Sequence, residues 1–586
     1  MTILTNEEVP RALDRLPPDA ETVWLFENLS ARRAAERAAR ADGRNLRLRS
    51  AYKTLLHDVL EDGILDHASS AIIRYPVVEG CPEDRFRLEC YPLHALSVHC
   101  HILFEPLVHQ DEGLPAYEIE TLEGKVRVSV PVRWTNACDE SPVLAGCGWQ
   151  VDAAGKGSPF ETEFEYIFAR VCAEMQALPL NPLNPEEPDG PVFFDRLEID
   201  VVIPAADQPL AVGHECLSLV EALHEEIYFA SLEIFRHRLD LPAGARTVTS
   251  GQVIPRITIG NTPHLRMELC RCDPLADQDW IGCPDLDAAM TWLTPTEIEK
   301  HLEALPGKPY HVMSRQGRMV SGQYVVGTGG AMLAISAGQH PNETSPMVGA
   351  LRAARDLAAE GRVGFTVNPL ENPDGYAVFR ELCAIHPRHM HHAARYTASG
   401  ADLSCGGGRH ESAIRTRALE HLPARVHLNL HGYPSHEWVR PLSGYIPEGF
   451  GQWTIPKGFF LILRFDPNEQ ALADLVLNAG LEALASFKPL ADQNRRMLDM
   501  YDRYVSNRAF QIHAGCIPFT THPEPDPGYP VTIITEAPDE TISGEDFRIA
   551  HEGQYRVVMA VAAALEKIQV QLSVRGSPGN LDNRDK

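Results

Sequence analysis

The 586-residue chain lacks several features that would have placed it at once. No apolar run approaches the length of about 20 residues that a bilayer-spanning helix needs, so no contact with membrane is expected. The opening residues Met1-Thr2-Ile3-Leu4-Thr5-Asn6-Glu7-Glu8 hold neither a basic segment nor an apolar one. No export leader is expected from them, and the expected compartment is cytoplasmic. Paired cysteine motifs are missing too: the 13 cysteines are odd in number and scattered, and the closest two, Cys270 and Cys272, have one residue between them. That spacing excludes a zinc ribbon and suits reduced thiols. Positive charge is scarce, with 53 Lys and Arg against 80 Asp and Glu and a net charge of −27. Such a chain repels a polyphosphate backbone, so nucleic acid is excluded as the expected partner.

Apolar residues make up 44% and charged residues 23% of the chain, which is globular usage and enough to bury large cores. Its length suits two to four packed units. Residues from Glu21 to about Leu60 are rich in Ala, Arg, Leu and Glu and read as helical. Between Arg85 and Trp134 the pattern alternates, as in Lys125-Val126-Arg127-Val128-Ser129-Val130, and predicts half-buried strands. Prolines from Leu178 to Pro191 mark a loop. Leu217, Val220, Leu223, Ile227 and Leu232 recur at near-helical spacing and predict a long helix over about Gly213 to Leu239.

Beyond about Leu286 the style changes to short apolar strands that end in Gly-rich turns and feed helices. Strands are predicted at Gln323 to Gly327, Met332 to Ala337, Val363 to Val367 and Val426 to Leu430, with a helix from Ser345 to Ala359. Strands alternating with helices imply an α/β sheet whose ligands gather at the carboxyl ends of its strands. The expected division is therefore an N-terminal α+β accessory region over 1–285, a catalytic α/β domain over 286–572 and a polar tail over 573–586.

Four strand ends carry candidate chemistry. Met332 to Ala337 runs into Gly338-Gln339-His340-Pro341-Asn342-Glu343, a His-x-x-Glu across a strand-to-helix turn. A histidine and a carboxylate so placed can point at one ion. Val363 to Val367 leads into Asn372-Pro373-Asp374-Gly375-Tyr376, a turn by its own chemistry. Arg425 to Leu430 delivers His431 where the backbone escapes into Gly432, and Val531 to Thr535 delivers Glu536 shortly before Pro538.

Together with Gly400-Ala401-Asp402-Leu403, and in this order, these segments resemble those of the zinc metallocarboxypeptidases, the family of carboxypeptidases A and B and their bacterial relatives. The resemblance covers about Leu286 to Leu572. It implies a mixed twisted sheet sandwiched by helices, with Zn²⁺ held by His340, Glu343 and His431. It further implies that Asp402 supports His340 and that Glu536 is the catalytic carboxylate. Arg388 falls near the place of the family's carbonyl-polarising arginine, with Arg380 and Arg395 as alternatives. The implied activity is hydrolysis of an amide bond in a peptide or acyl-amino-acid substrate, as a metallopeptidase of the carboxypeptidase type.

The sequence also departs from the family. Ser404-Cys405 stands where the family has the Asn-Arg that grips a free C-terminal carboxylate, and a serine and a thiol do not replace a planar guanidinium. Arg409, beyond three glycines, is the candidate substitute. Two other functions share these features: a small-molecule N-acyl amino acid deacylase, and a zinc-binding scaffold without activity. A Cys405 nucleophile with His410 or His431 as its base is a third chemistry, without a family signature to support it. Gly327-Thr328-Gly329-Gly330 lacks the Lys-Ser/Thr of a phosphate loop and reads as a turn. The remaining histidines are expected to be bystanders. His389, His391 and His392 lie in a polar loop; His427 is too far along its strand from His431; His436 is the alternative third ligand; and His99 and His101 share a strand face. Glu221-x-x-His224 reads as a helix-surface pair. Nothing in the sequence points to an oligomeric state.

Overall fold

The computed structural model describes residues 2–109, 113–135, 142–183, 192–242, 244–272, 285–403, 409–443 and 455–576, the side chains of 570–576 excepted. Ser404, Cys405 and the glycines after them, much of the proline-rich loop, and the end of the polar tail lie outside those residues.

The first half is a mixture of helices and small sheets. One four-stranded sheet joins Thr2–Glu8, His264–Cys270, Arg196–Ile203 and Gln252–Ile259; a second joins Gly157–Pro159, Trp149–Asp152, Ala20–Leu25 and Arg47–Ser50; a third joins His101–Val108, Ser70–Val77, Ala116–Thr121 and Gly124–Ser129. The stretch expected to be helical from Glu21 onward is thus interrupted by two strands. Thr22-Val23-Trp24-Leu25 is β-branched and aromatic, and its propensity prevails over the helical composition around it. The long helix forms as α1 (Leu219–Arg238), opened by Ser218, whose hydroxyl accepts the Glu221 N–H at 3.0 Å.

The second half is built on nine strands: β1 (Lys308–Met313), β2 (Met319–Val325), β3 (Met332–Ser336), β4 (Gly364–Asn368), β5 (Val426–Tyr433), β6 (Phe460–Phe465), β7 (Gln511–His513), β8 (Ile517–His522) and β9 (Val531–Pro538). Their order across the sheet is β1-β2-β4-β3-β5-β9-β6-β8-β7. The central run β4-β3-β5-β9 is parallel, and antiparallel pairings flank it, so the sheet is mixed. Parallel strands covered on both faces read as continuous apolar runs. β4 and β5 are accordingly buried along their whole length. Several of the polar groups they carry are paired: His427 Nε2 lies 2.8 Å from Ser336 Oγ, and that hydroxyl donates to Asn429 at 2.9 Å. Helices α2 (Ser345–Glu360), α3 (Pro373–Cys383) and α4 (Glu545–Gly576) follow β3, β4 and β9, and α2 packs against α4.

The two halves share apolar cores. Tyr228 and Phe229 of α1 and Ile254 are buried with Leu333, Phe365, Trp438 and Phe459, while Val439, Leu442, Tyr501 and Tyr504 are buried with the N-terminal core. Among the described residues no helix is long and apolar enough to cross a membrane.

Candidate metal centre

Because β3, β5 and β9 run parallel, their carboxyl ends lie side by side. His431 and Glu536 are paired across β5 and β9, so both side chains leave the sheet on one face. The turn after β3 brings the other two groups over this edge. Gly338 permits it with φ +63, and the Glu371 and Asn372 N–H groups donate to the Ala337 and Gly338 carbonyls at 3.1 and 2.9 Å. α2 then begins without a cap of its own, and Asp539, just past β9, accepts the Ser345 N–H at 2.7 Å in its place. Gly432 is required at the centre of this packing: a Cβ there would lie 2.0 Å from Asp539 Oδ1.

Three acceptors converge as a result. His340 Nδ1 is 2.9 Å from Glu343 Oε1, His431 Nδ1 is 2.9 Å from Glu343 Oε2, and the two Nδ1 atoms are 3.1 Å apart. All three side chains are buried. Lone pairs so close repel unless a proton or a metal cation lies between them. A tetrahedral Zn²⁺ with bonds of about 2.0–2.1 Å would set its ligand atoms about 3.3 Å apart, so the residues present fit that ion. Burial pushes the Glu343 carboxyl up, but the charges of His340 and His431 prevail and hold it well below the usual carboxylate range. The Gly432 N–H donates to its Oε2 at 2.9 Å. Gln554 of α4 holds the His431 backbone, donating to its carbonyl at 2.8 Å.

Asp402, Glu536 and an arginine also come close to the cluster, the arginine not being the one expected. Asp402 Oδ2 is 3.5 Å from His340 Nε2, at the outer limit of a hydrogen bond, and Gln339 donates to Oδ1 at 2.9 Å. Against the upward push of burial, His340 keeps the Asp402 carboxyl well below its ordinary value. Glu536 is buried and its Oε2 has no hydrogen-bond partner; burial, then the charge of Glu343, push its pKa well up. The expected arginine is displaced. Arg388 is exposed, whereas Arg395 is buried and donates to Glu343 Oε1 at 3.0 Å. Asn372-Pro373-Asp374-Gly375 explains this: a Cβ at Gly375 would lie 2.4 Å from the Ala394 carbonyl, and Asn372 Nδ2 donates to the Arg395 carbonyl at 3.4 Å. The segment read as a turn is in fact the capped start of α3, with Asn372 accepting the Gly375 N–H at 2.9 Å, and it seats Arg395 over the cluster.

Arg409 is exposed and lines a cavity of about 80 Å³ bordered by Asp402 and Arg315. His436 is no ligand of the cluster, because Nε2 is bound to Glu221 at 2.9 Å. His99 bonds the Leu65 carbonyl at 2.8 Å instead of pairing with His101. Glu221 and His224 do not form a surface pair, and His389, His391 and His392 do not lie in an exposed loop. All five are buried, where α1 and the strand Gln252–Ile259 meet the segment around His392–Ala394. Cys405 lies outside the described residues. Sequence reasoning missed Lys457, a buried amine 4.1 Å from the Phe460 ring centre, which burial pushes down to about 7 against the pull of Glu536.

No family model matches this sequence, and no curated protein does. Solved structures do. The chain is similar to metallocarboxypeptidases. The enzyme from Pseudomonas aeruginosa, solved in complex with (2-guanidinoethylmercapto)succinic acid, is 14% identical over 47% of this chain and 70% of its own, with a TM-score of 0.30. That from Burkholderia cenocepacia is 14% identical over 53% and 77%, with a TM-score of 0.29. Thrombin activatable fibrinolysis inhibitor is 13% identical over 47% and 78%, with a TM-score of 0.30.

Proposed function

We propose that this protein is a zinc-dependent hydrolase of the metallocarboxypeptidase type, cleaving an amide bond in a peptide or acyl-amino-acid substrate. The observation that carries the reading is the convergence of His340 Nδ1, His431 Nδ1 and the Glu343 carboxylate within about 3 Å of one another, beside a buried carboxylate in register with one of them. Two neutral imidazoles and one carboxylate would hold Zn²⁺ with a residual positive charge. When bound, such an ion lowers the pKa of a coordinated water from about 15.7 to about 7.

The chain's own groups then have distinct tasks. Glu536 takes the proton of the attacking water and returns it to the leaving amine, the work of a general base and then a general acid. Arg395 supplies a fixed guanidinium where negative charge develops on the amide oxygen. Asp402 accepts the second ring N–H of His340, which fixes the tautomer and makes Nδ1 the better donor. Burial of the whole group strengthens each of these interactions.

Ser404-Cys405 in place of Asn-Arg favours a second reading on the same machinery, an N-acyl amino acid deacylase whose substrate is not a standard peptide end. Both readings share one test. Glu536→Gln is expected to lower turnover of a peptide and acyl-amino-acid panel by about 10²-fold to 10⁴-fold with metal retained. Undiminished turnover removes the assigned base.

A further inference from the structure

We propose that a recess beside α3 is a second ligand site, separate from the metal cluster, that takes a small organic ammonium ion with an apolar body; this role is independent of the hydrolase reading. One wall is the helix Pro295–Glu303, whose start is fixed by a reciprocal cap: the Thr294 hydroxyl accepts the Glu297 N–H at 3.2 Å, and the Glu297 carboxylate accepts the Thr294 N–H at 2.7 Å. Ile298, Glu299 and Leu302 lie along one face of this helix. Opposite them stand Met319 of β2 and Leu370 and Pro373, which lead into α3. The cavity between these walls has a volume of about 320 Å³, the size at which pockets begin to hold small molecules.

Two charged groups line the recess, and one of them is already neutralised. Arg318 donates to Asp374 at 2.8 Å, and Asp374 is fully buried, where it also accepts the Ser314 hydroxyl at 2.7 Å. Glu299 has no such cation. Among the described residues no ion pair reaches it, and its carboxylate accepts the Ser321 hydroxyl at 3.2 Å. Burial pushes the Glu299 carboxyl up and the Ser321 hydroxyl opposes that rise; Glu303 adds to it, and His311, opposite Ser321 across β1 and β2, opposes it least. The recess is thus short of one positive charge. An ammonium supplies that charge through a charge-assisted hydrogen bond, while an apolar body leaves water against Ile298, Leu302 and Leu370 and the flexible Met319 adapts to its shape.

The recess is not part of the metal centre. His340, Glu343, His431, Arg395 and Glu536 do not line it. Leu370 stands between the two: a Cβ on Gly338, in the turn that carries His340, would lie 3.0 Å from Leu370 Cα. The next two residues, Glu371 and Asn372, hold that same turn through their N–H groups. An occupant therefore rests against the segment that supports the His340 turn without reaching any donor atom of the cluster.

Phenethylamine and phenethyl alcohol share one apolar body and differ in an ammonium against a hydroxyl, and neither contains an amide bond. Calorimetric titration of the full-length chain with each should show the amine binding at least about 10-fold tighter, the size of a hydrogen bond to a charged group. Glu299→Gln, which keeps the shape, should abolish that preference. Ala377→Trp, at a half-buried position on the α3 wall, should fill the recess and remove binding with the fold unchanged by circular dichroism. The preference should also survive dialysis against a chelator. A wild-type chain that does not discriminate, a Glu299→Gln chain that still does, or a folded Ala377→Trp chain that binds as wild type overturns the proposal. So does a preference lost on chelation with the fold intact, which would place the amine at the metal cluster. Binding needs no turnover: an inactive chain that discriminates keeps this site and sinks the hydrolase reading, and an active chain that does not discriminate sinks the site alone.

Discussion

At the residue scale the account depends on a few donor atoms. Asp402 touches no substrate in it; its role is to orient His340, and loss of such a partner weakens metal binding about 10-fold to 100-fold. Competition of Asp402→Asn with a chromophoric chelator should show a shift of that size, with the fold unchanged by circular dichroism. The two histidines, Glu343 and Glu536 were legible because each sits in a short motif at a strand end, where backbone geometry leaves little freedom; Asp402 lies in a turn away from any strand and was legible only through the family resemblance. The arginine was not. Arg380, Arg388 and Arg395 fall within one turn-rich stretch without periodicity, and only the close approach of Gly375 to Ala394 decides among them. That approach is tertiary and leaves no local trace.

At the scale of elements the strands and helices around the cluster were legible from their apolar runs and turns, and α2 and β3 form within a residue of their expected bounds. α1 was legible as a helix but not in its role. Its acidic residues look like a solvent-facing stripe, and they are buried instead because the partner surface offers His392, His436 and Arg440. The Glu221–His436 pair gives this docking a pH dependence. Burial alone would raise Glu221 and lower His436, but each partner outweighs it, holding Glu221 at about 2 and lifting His436 to about 9. The His436 contribution is whole below its ordinary 6.5 and fades as pH rises through 9; that of Glu221 is whole above its ordinary 4.5 and fades as pH falls through 2. Breaking a buried pair costs about 3–5 kcal/mol. The stability gap between wild type and Glu221→Gln, measured by denaturant unfolding, should be widest between pH 4.5 and 6.5 and narrow toward pH 9. A gap independent of pH would remove the ion pair from the interface.

At the scale of the whole molecule, the expected boundary near residue 285 separates two styles of sequence but not two independent interiors. Tyr228, Phe229 and Ile254 fill the same core as the nine-stranded sheet, and Lys53 pairs with Glu437 across the halves. A fragment of residues 286–576 would expose those apolar faces and leave His392, His436 and Glu437 without their partners. It is expected to lack the near-ultraviolet dichroism of fixed aromatic packing that the full chain shows. A fragment with native dichroism would restore the boundary as a true domain border. Composition could not reveal this, because shared burial depends on which apolar faces meet.

All three scales meet in the cluster of His340, Glu343 and His431, and elemental analysis of the metal in the purified chain tests it most directly. After exposure to zinc and exhaustive dialysis, the full-length protein is predicted to retain about one zinc ion per chain, and Glu343→Ala to retain almost none. A wild-type chain free of zinc, or a Glu343→Ala chain that keeps its full share, would contradict the account.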